Sequence, residues 1–336
     1  MGLPSALLDI HARLGARVVA DRIAGYTTLE KEDAALHCAC GLIDRSDRGK
    51  LRLCGSERIG FLQGLATNDV KSLAPGRGCY TAFLEPKGHL VSDAQVLVRA
   101  DDVLLDVEPG RAKSLLDHLE HHLISEDVEV SDVTASFALF SLLGPQSSAV
   151  ACDENCFEPQ GDVLRIGTRL GALKGIDLLV PSSQAAKVLE SEVARGAVPV
   201  GFEALEIARV EAGVPRFGAD MDEETGALEA NLADRAISFT KGCYVGQEVI
   251  AKASYRGGAR NKLVGFRLGP GVLLPSGTPL FKAPGDKKPV GKITTAVHSP
   301  RLGDIALGYA RREFQSPGSE LLTADARQIV VCALPF

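Results

Sequence analysis

The 336-residue sequence predicts an α+β protein: two α+β units in succession, then a small C-terminal β-barrel. Three observations carry this reading. From residue 50 the apolar pattern runs strand, helix, three strands, helix, strand, the order of an α+β sandwich with its helices on one face. A second run of similar kind covers 136–215, without a close sequence repeat to match it to the first. Beyond Leu263, short apolar segments alternate with Pro/Gly turns about every ten residues, the spacing of a small barrel. The expected divisions are 1–135, 136–258 and 259–336.

Each element follows from its pattern. Leu7, Leu8, Leu14 and Val18 set a helical stripe over 5–20, with Ser5 as its cap, and a second helix covers 29–38. Residues 49–54 alternate as a short strand. Ser56 caps a helix whose apolar side is Ile59, Phe61, Leu62 and Leu65, and Thr67, Asn68 and Asp69 then reverse the chain. Strands follow at 80–84, 90–98 and 103–107. Leu115, Leu116 and Leu119 mark the inner face of a helix over 110–123. His118, His121 and His122 lie on its other faces and read as solvated rather than metal-ligating. Strands at 128–133, 136–143, 163–170 and 176–180, and helices at 182–195 and 202–212, complete the two units. Glu211 stands in the last turn of its helix, against the dipole. It is either held there for a partner or simply exposed.

A hydrophobic fraction of 45% with 24% charged residues is that of a globular chain. The net charge of −6 argues against direct nucleic-acid binding. No apolar run reaches the length of a membrane span, and no signal-peptide pattern is present. Eight cysteines without disulfide-like spacing fit a reducing cytoplasm, and neither Cys38-x-Cys40 nor Cys152-x3-Cys156 is completed as a metal site. No metal is expected.

The densest chemistry lies at Lys241-Gly242-Cys243-Tyr244-Val245-Gly246-Gln247-Glu248. A thiol near an ammonium can be activated toward thiolate. The same residues can also be a cysteine in a tight turn. Downstream, 256–262 is the most basic run of an acidic chain, and its glycines free N–H groups for an anion.

This octapeptide resembles the K-G-C-[YF]-x-G-Q-E signature of the YgfZ family, folate-binding relatives of the glycine-cleavage T-protein, an aminomethyltransferase. Residues 61–70, with Thr67-Asn68-Asp69-Val70, resemble the L-Q-x-x-x-T-N-D-V segment of these proteins. Residues 208–213 resemble their R-x-E-A-G segment, and 291–295 and 307–310 their C-terminal barrel. The resemblance implies a three-lobed GcvT-like fold: two intertwined ferredoxin-like α+β domains and a β-barrel around a central cavity. It implies tetrahydrofolate, or a one-carbon derivative, as cofactor. Folate contacts would come from Asn68, Asp69, Asp93, Glu211, Tyr244, Gln247, Glu248 and Arg256, with Glu211 reading the pterin, Tyr244 or Tyr255 stacking, and 256–262 attracting the glutamate tail. Cys243 would be the working thiol, supported by Lys241.

Where the T-protein carries paired aspartates, this chain has Ser92-Asp93. On that departure, the resemblance implies a folate-dependent accessory role in assembling or repairing iron–sulfur enzymes, tRNA-modifying ones included, with those clients or cluster-assembly proteins as partners. The alternative is a tetrahydrofolate-dependent aminomethyltransferase, for which Asp93 matters more than Cys243. A cysteine-nucleophile hydrolase is a further alternative, and it needs a base near Cys243. The next histidine is His298.

Overall fold

The computed structural model describes residues 5–20, 22–147, 153–255 and 258–336. The first sheet has five antiparallel strands, ordered Arg77–Leu84, Leu90–Val98, Val103–Val107, Gly49–Cys54 and Glu129–Asp132. Its strands alternate, so residues two apart share a face. Ala94, Val96, Val103, Leu105 and Val107 lie under the helices Arg58–Leu65 and Ala112–His122, which cover them with Leu62, Leu65, Leu115 and Leu119.

The second sheet has six strands, ordered Phe157–Gln160, Val163–Leu170, Leu173–Pro181, Phe137–Leu143, Gly41–Asp44 and Val198–Pro199. Its helices are Ser5–Arg13 and Ala185–Ala194, packed through Leu7, Ile10, Ala185 and Leu189. The uncovered faces of the two sheets meet. Leu97 and Leu104 of the first pack against Leu139, Phe157, Ile166 and Leu179 of the second.

The sheets are exchanged between chain segments, so they do not follow a division at residue 135. Gly41–Asp44 was not expected as a strand; it pairs with Phe137–Leu143 inside the second sheet. Conversely, the late segment carrying Phe217, Met221, Leu232, Tyr244 and Ile250 packs on Ala82, Leu84 and Leu90 of the first. The expected helix over 5–20 ends at Arg13, and Arg17–Val19 pairs with Arg22–Gly25 as a two-stranded ribbon.

The C-terminal sheet runs Pro279–Leu280, Gly291–Ser299, Gly303–Arg311, Asn261–Arg267, Gln328–Cys332 and Glu320–Leu322. Its edges join through paired 2.8 Å hydrogen bonds between Phe281 and Leu322, closing the barrel. The helix Phe202–Glu211 connects all parts. It packs on Leu36 and Ile43 through Ala204 and Ala208, and its Val210 joins Leu263, Ile305 and Leu307 of the barrel. Arg209, nearly fully buried, donates to Glu206, Asp220 and Thr295. Asp220 in turn accepts from Thr294 and Thr295.

Removing the Arg209 guanidinium would leave Asp220 as a buried charge without its cation. Arg209→Met should therefore cost about 3–5 kcal/mol. Adding Asp220→Asn should recover part of it in a double-mutant cycle read by chemical denaturation.

Candidate functional site

Where the sheets stop touching, their inner faces change from apolar to charged. In the strand Leu90–Val98 the inward row is Asp93, Gln95, Leu97; in the next strand Leu104 is followed inward by Asp106. Gln95 stands directly opposite both Tyr80 and Asp106, and Asp106 opposite Lys50, so a polar row crosses four strands. The second sheet answers with Thr168 and Asp177, and Phe202, Leu205, Glu206 and Arg209 form a roof. The cleft between holds about 200 Å³, room for on the order of a dozen waters, and so for a ligand. Its lining comes from the two α+β units and the 202–235 segment; no barrel residue contributes.

Asp93 is the most chemically poised group. It is almost wholly buried, its Oδ2 accepts from the Tyr80 hydroxyl at 2.8 Å, and its Oδ1 makes no hydrogen bond. Burial, and after it the neighbouring Glu108, push this carboxyl up to about 6, into the range useful for proton transfer near neutrality. Arg48 holds Glu108 and Asp106, and keeps Glu108 below the ordinary carboxylate range despite its burial. Lys50, fully buried, donates to the Arg48 carbonyl at 2.7 Å, and burial lowers its ammonium to about 8. Across the cleft Asp177 is raised by burial; it accepts from Ser141 at 2.5 Å and lies 3.9 Å from the Arg45 guanidinium. Tyr80 and Phe202 offer aromatic faces, with Arg235 5.2 Å from the Tyr80 ring centre and Arg22 3.7 Å from that of Phe202.

Of the described residues singled out from the sequence, only Asp93 lines this cleft. Glu211 does not; Glu206, five residues earlier on the same helix, does. The Glu211 carboxylate turns toward the barrel, accepting from Ser299 at 2.5 Å and pairing with Arg301. The carboxylate therefore does not face this cleft. Tyr244 is buried in the core beneath the first sheet, and Tyr255 is 93% exposed, so neither lies in the cleft to stack. Gln247 and Glu248 open the helix Gln247–Tyr255, where Glu248 pairs with Lys252 at the surface. Asn68 donates to the Tyr80 and Arg235 carbonyls, and Asp69 accepts from Gln63. This segment braces the Tyr80 strand rather than facing the cleft. Arg256 lies outside the described residues.

The 241–248 loop is built around Lys241. Its Nζ donates to the carbonyls of Gln63, Ala66 and Asn68, at 2.7, 2.5 and 3.1 Å. These carbonyls lie at and just beyond the C-terminal end of the helix Arg58–Leu65, where backbone acceptors lack helical partners. Burial lowers the ammonium to about 8. Lys241 therefore points inward as a structural pin, and its three bonds are spent on the backbone rather than on the thiol. Gly246, at φ +82°, passes so close to the Glu85 carbonyl that a Cβ would sit 2.8 Å from it. The braced loop leaves Cys243 exposed, outside the cleft lining.

The residues missed from the sequence share one signal. Asp106, Glu108 and Asp177 are carboxylates in or beside strands rich in Leu, Val and Ile, a costly placement unless paired or used.

Two family descriptions match this chain: the GCVT N-terminal domain over residues 9–154 and the glycine cleavage T-protein C-terminal barrel domain over 261–336. An aminomethyltransferase of Thermosynechococcus vestitus is 30% identical over 321 residues, covering 88% of this chain and 83% of the relative. The chain belongs to the glycine-cleavage T-protein family. A putative chloroplastic transferase of Arabidopsis thaliana is 29% identical over 348 residues, covering 98% of this chain and 79% of that protein. The crystal structure of glycine cleavage system aminomethyltransferase T from Bartonella henselae superposes with a TM-score of 0.89 at 22% identity, covering 98% and 96% of the two chains. The fold is thus GcvT-like. Among the described residues, no helix is long and apolar enough to cross a membrane.

Two outcomes are expected. Lys241→Met should destabilise by about 1–3 kcal/mol, because buried carbonyls lose their donor. It should change the rate of Cys243 with a thiol reagent by less than roughly threefold, since the ammonium does not serve the thiol. For Asp93, the folded value of about 6 lies above the unfolded ~3.9, so ionisation costs stability. This cost is absent below about pH 4, grows up to about pH 6 and is constant above. Asp93→Asn should accordingly raise stability by about 1–3 kcal/mol at pH 7.5 and by little at pH 4, as thermal melts at the two values would show.

Proposed function

We propose that this chain binds tetrahydrofolate, or a one-carbon derivative, in the cleft between its two sheets and acts as an aminomethyltransferase-type folate protein. The observation that carries the reading is Asp93: a buried carboxyl with one oxygen fixed by Tyr80, the other unpartnered, set within a cleft of ligand size. Folate matches the other groups. The donor edge of a pterin suits a carboxylate such as Asp177, half-buried on the cleft lining and hydrogen-bonded by Ser141 through Oδ1. Tyr80 and Phe202 are the aromatic rings on the cleft lining, and a flat ring stacking on either would take the place of a guanidinium now over it. Arg169 and Arg216 are among the cations on the cleft lining that can meet an anionic tail.

Passing a methylene from an aminomethylated carrier to two folate nitrogens releases ammonia and the carrier, so protons must leave the folate nitrogens and reach these leaving groups. A carboxyl half protonated near pH 6 can give or take one, and here it sits where water is limited. The departure at position 92 weighs less than the sequence suggests. Ser92 is fully buried, pairs across from Phe83 and alternates to the helix-covered face. An acid there would not reach the cleft.

A second reading, the accessory role in iron–sulfur enzyme maintenance, is favoured by one observation. Cys243 is exposed on a loop that Lys241 and Gly246 brace, away from the ligand cleft. A thiol so displayed meets a partner's surface rather than bound folate.

Calorimetric titration with tetrahydrofolate separates these. Cys243→Ala should bind like wild type, whereas Asp177→Asn should bind about tenfold more weakly or worse, the loss of a charged hydrogen-bonding partner. Wild-type affinity in Asp177→Asn would place folate elsewhere. With an aminomethylated carrier protein as substrate, turnover that is lost in Asp93→Asn and kept in Cys243→Ala supports the transferase. Binding without turnover supports the accessory role.

A further inference from the structure

Glu211, turned away from the cleft, belongs to a second cluster. Asp33 and His37 lie one turn apart on the helix Leu29–Cys38, so both project from one face. This helix packs on Phe202–Glu211 through Ala35, Leu36, Ala204 and Ala208, which brings the last residue of that helix to the same point. His37 Nε2 is 3.5 Å from Asp33 Oδ1 and 3.7 Å from Glu211 Oε2, and the three donor atoms all lie within 4.8 Å of one another. Asp33 is 5% exposed. Its Oδ1 and the His37 Nε2 are shut off from solvent, and neither makes a hydrogen bond. Buried polar atoms aimed at one another without a proton-sharing contact need a further partner.

The local charge points the same way. Two buried carboxylates face one guanidinium, that of Arg301, which pairs with Glu211 and lies 3.7 Å from Asp33 Oδ2. Arg301 is mounted on a barrel turn with its side chain 44% exposed, so it can withdraw into solvent without opening the core. Donors held about 2.1 Å from a tetrahedral zinc are about 3.4 Å apart, close to the 3.5 and 3.7 Å observed. One imidazole with two carboxylates suits zinc or a similar transition metal better than magnesium or calcium, which favour oxygen alone.

We propose that Asp33, His37 and Glu211 form a site for a zinc-class divalent cation, and that Arg301 occupies the cation's place when it is absent. A water completes the coordination. Ser299, donating to Glu211 Oε1 at 2.5 Å, orients that carboxylate from outside. The bound ion would clasp the two helices of the second unit at the turn of the barrel.

The test is zinc binding by the full chain after stripping with chelator, read by competition with a chromophoric chelator. The variants are His37→Gln, Arg301→Gln and, as a control for the other histidine cluster, His121→Gln with His122→Gln. The wild type should bind one equivalent. His37→Gln should weaken it about tenfold or more, Arg301→Gln should tighten it, and the control pair should leave it unchanged. If His37→Gln fails to fold, Arg301→Gln still decides by the direction of its change. Zinc affinity indifferent to both variants, or no stoichiometric binding in wild type and Arg301→Gln alike, overturns the site. So does a thiolate charge-transfer band with Co²⁺, which would place the metal on cysteines.

Discussion

Everything about the cleft depends on one change of character along the strands of two facing sheets. Where Leu97 and Leu104 meet Leu139, Ile166 and Leu179, the sheets are pressed together by apolar contact. One strand repeat further on, the same inward positions carry Gln95 and Asp106, and the sheets part. Hydrophobic contact and charge desolvation are thus set side by side on one surface. The first fixes the separation; the second would be prohibitive without the cations threaded between the acids. Arg48, pinned between Asp106 and Glu108, lets three carboxylates stand near each other; it keeps Glu108 low while Asp93 is pushed toward protonation. Burial comes first in raising Asp93, and the nearby Glu108 carboxylate, itself held by Arg48, comes second.

The helix Phe202–Glu211 converts this local arrangement into a property of the whole chain. Phe202, Leu205, Glu206 and Arg209 roof the cleft, Val210 enters the barrel core, and Glu211 reaches the barrel turn. Residues three to five apart on one helix therefore look at three different environments, as its 3.6-residue period requires. Through Arg209, Asp220 and Thr294 the barrel is tied to the roof, although it lines none of the cleft itself.

Much of this was legible in the sequence, and the failures have physical causes. The alternation of 90–98 and 103–107, the amphipathic helix that follows and the turn-punctuated barrel all emerged as expected, because each is a local pattern repeated over several residues. Gly41–Asp44 did not: four residues cannot establish a period, and the strand exists only because a partner nearly a hundred residues away accepts it. Glu211 was singled out by its position against a helix dipole, and it does have partners, but which surface they occupy is a matter of helix packing that no spacing reveals. The segment of Thr67, Asn68 and Asp69 and the loop of Lys241 were visible as polar-rich stretches. Polar richness alone does not separate a residue that binds a ligand from one that satisfies a helix end, and Lys241 is the second kind.

The distinction between Ser92 and Asp93 shows how a single step in a strand can reverse a functional argument. Read as text, the loss of one acid from an adjacent pair halves the chemical equipment. Read as a pleated strand, adjacent residues face opposite sides of the sheet, and the two positions never share an environment. The retained carboxyl has the cleft, Tyr80 and an open oxygen; the lost one would have had the apolar layer around Phe83. A carboxylate there would need hydrogen-bonding partners of its own on the helix-covered side, away from the cleft. Position 92 thus bears on the packing of the first unit, and of the two positions Asp93 is the one that faces the cleft. Cys243, exposed and off the cleft lining, shares neither environment.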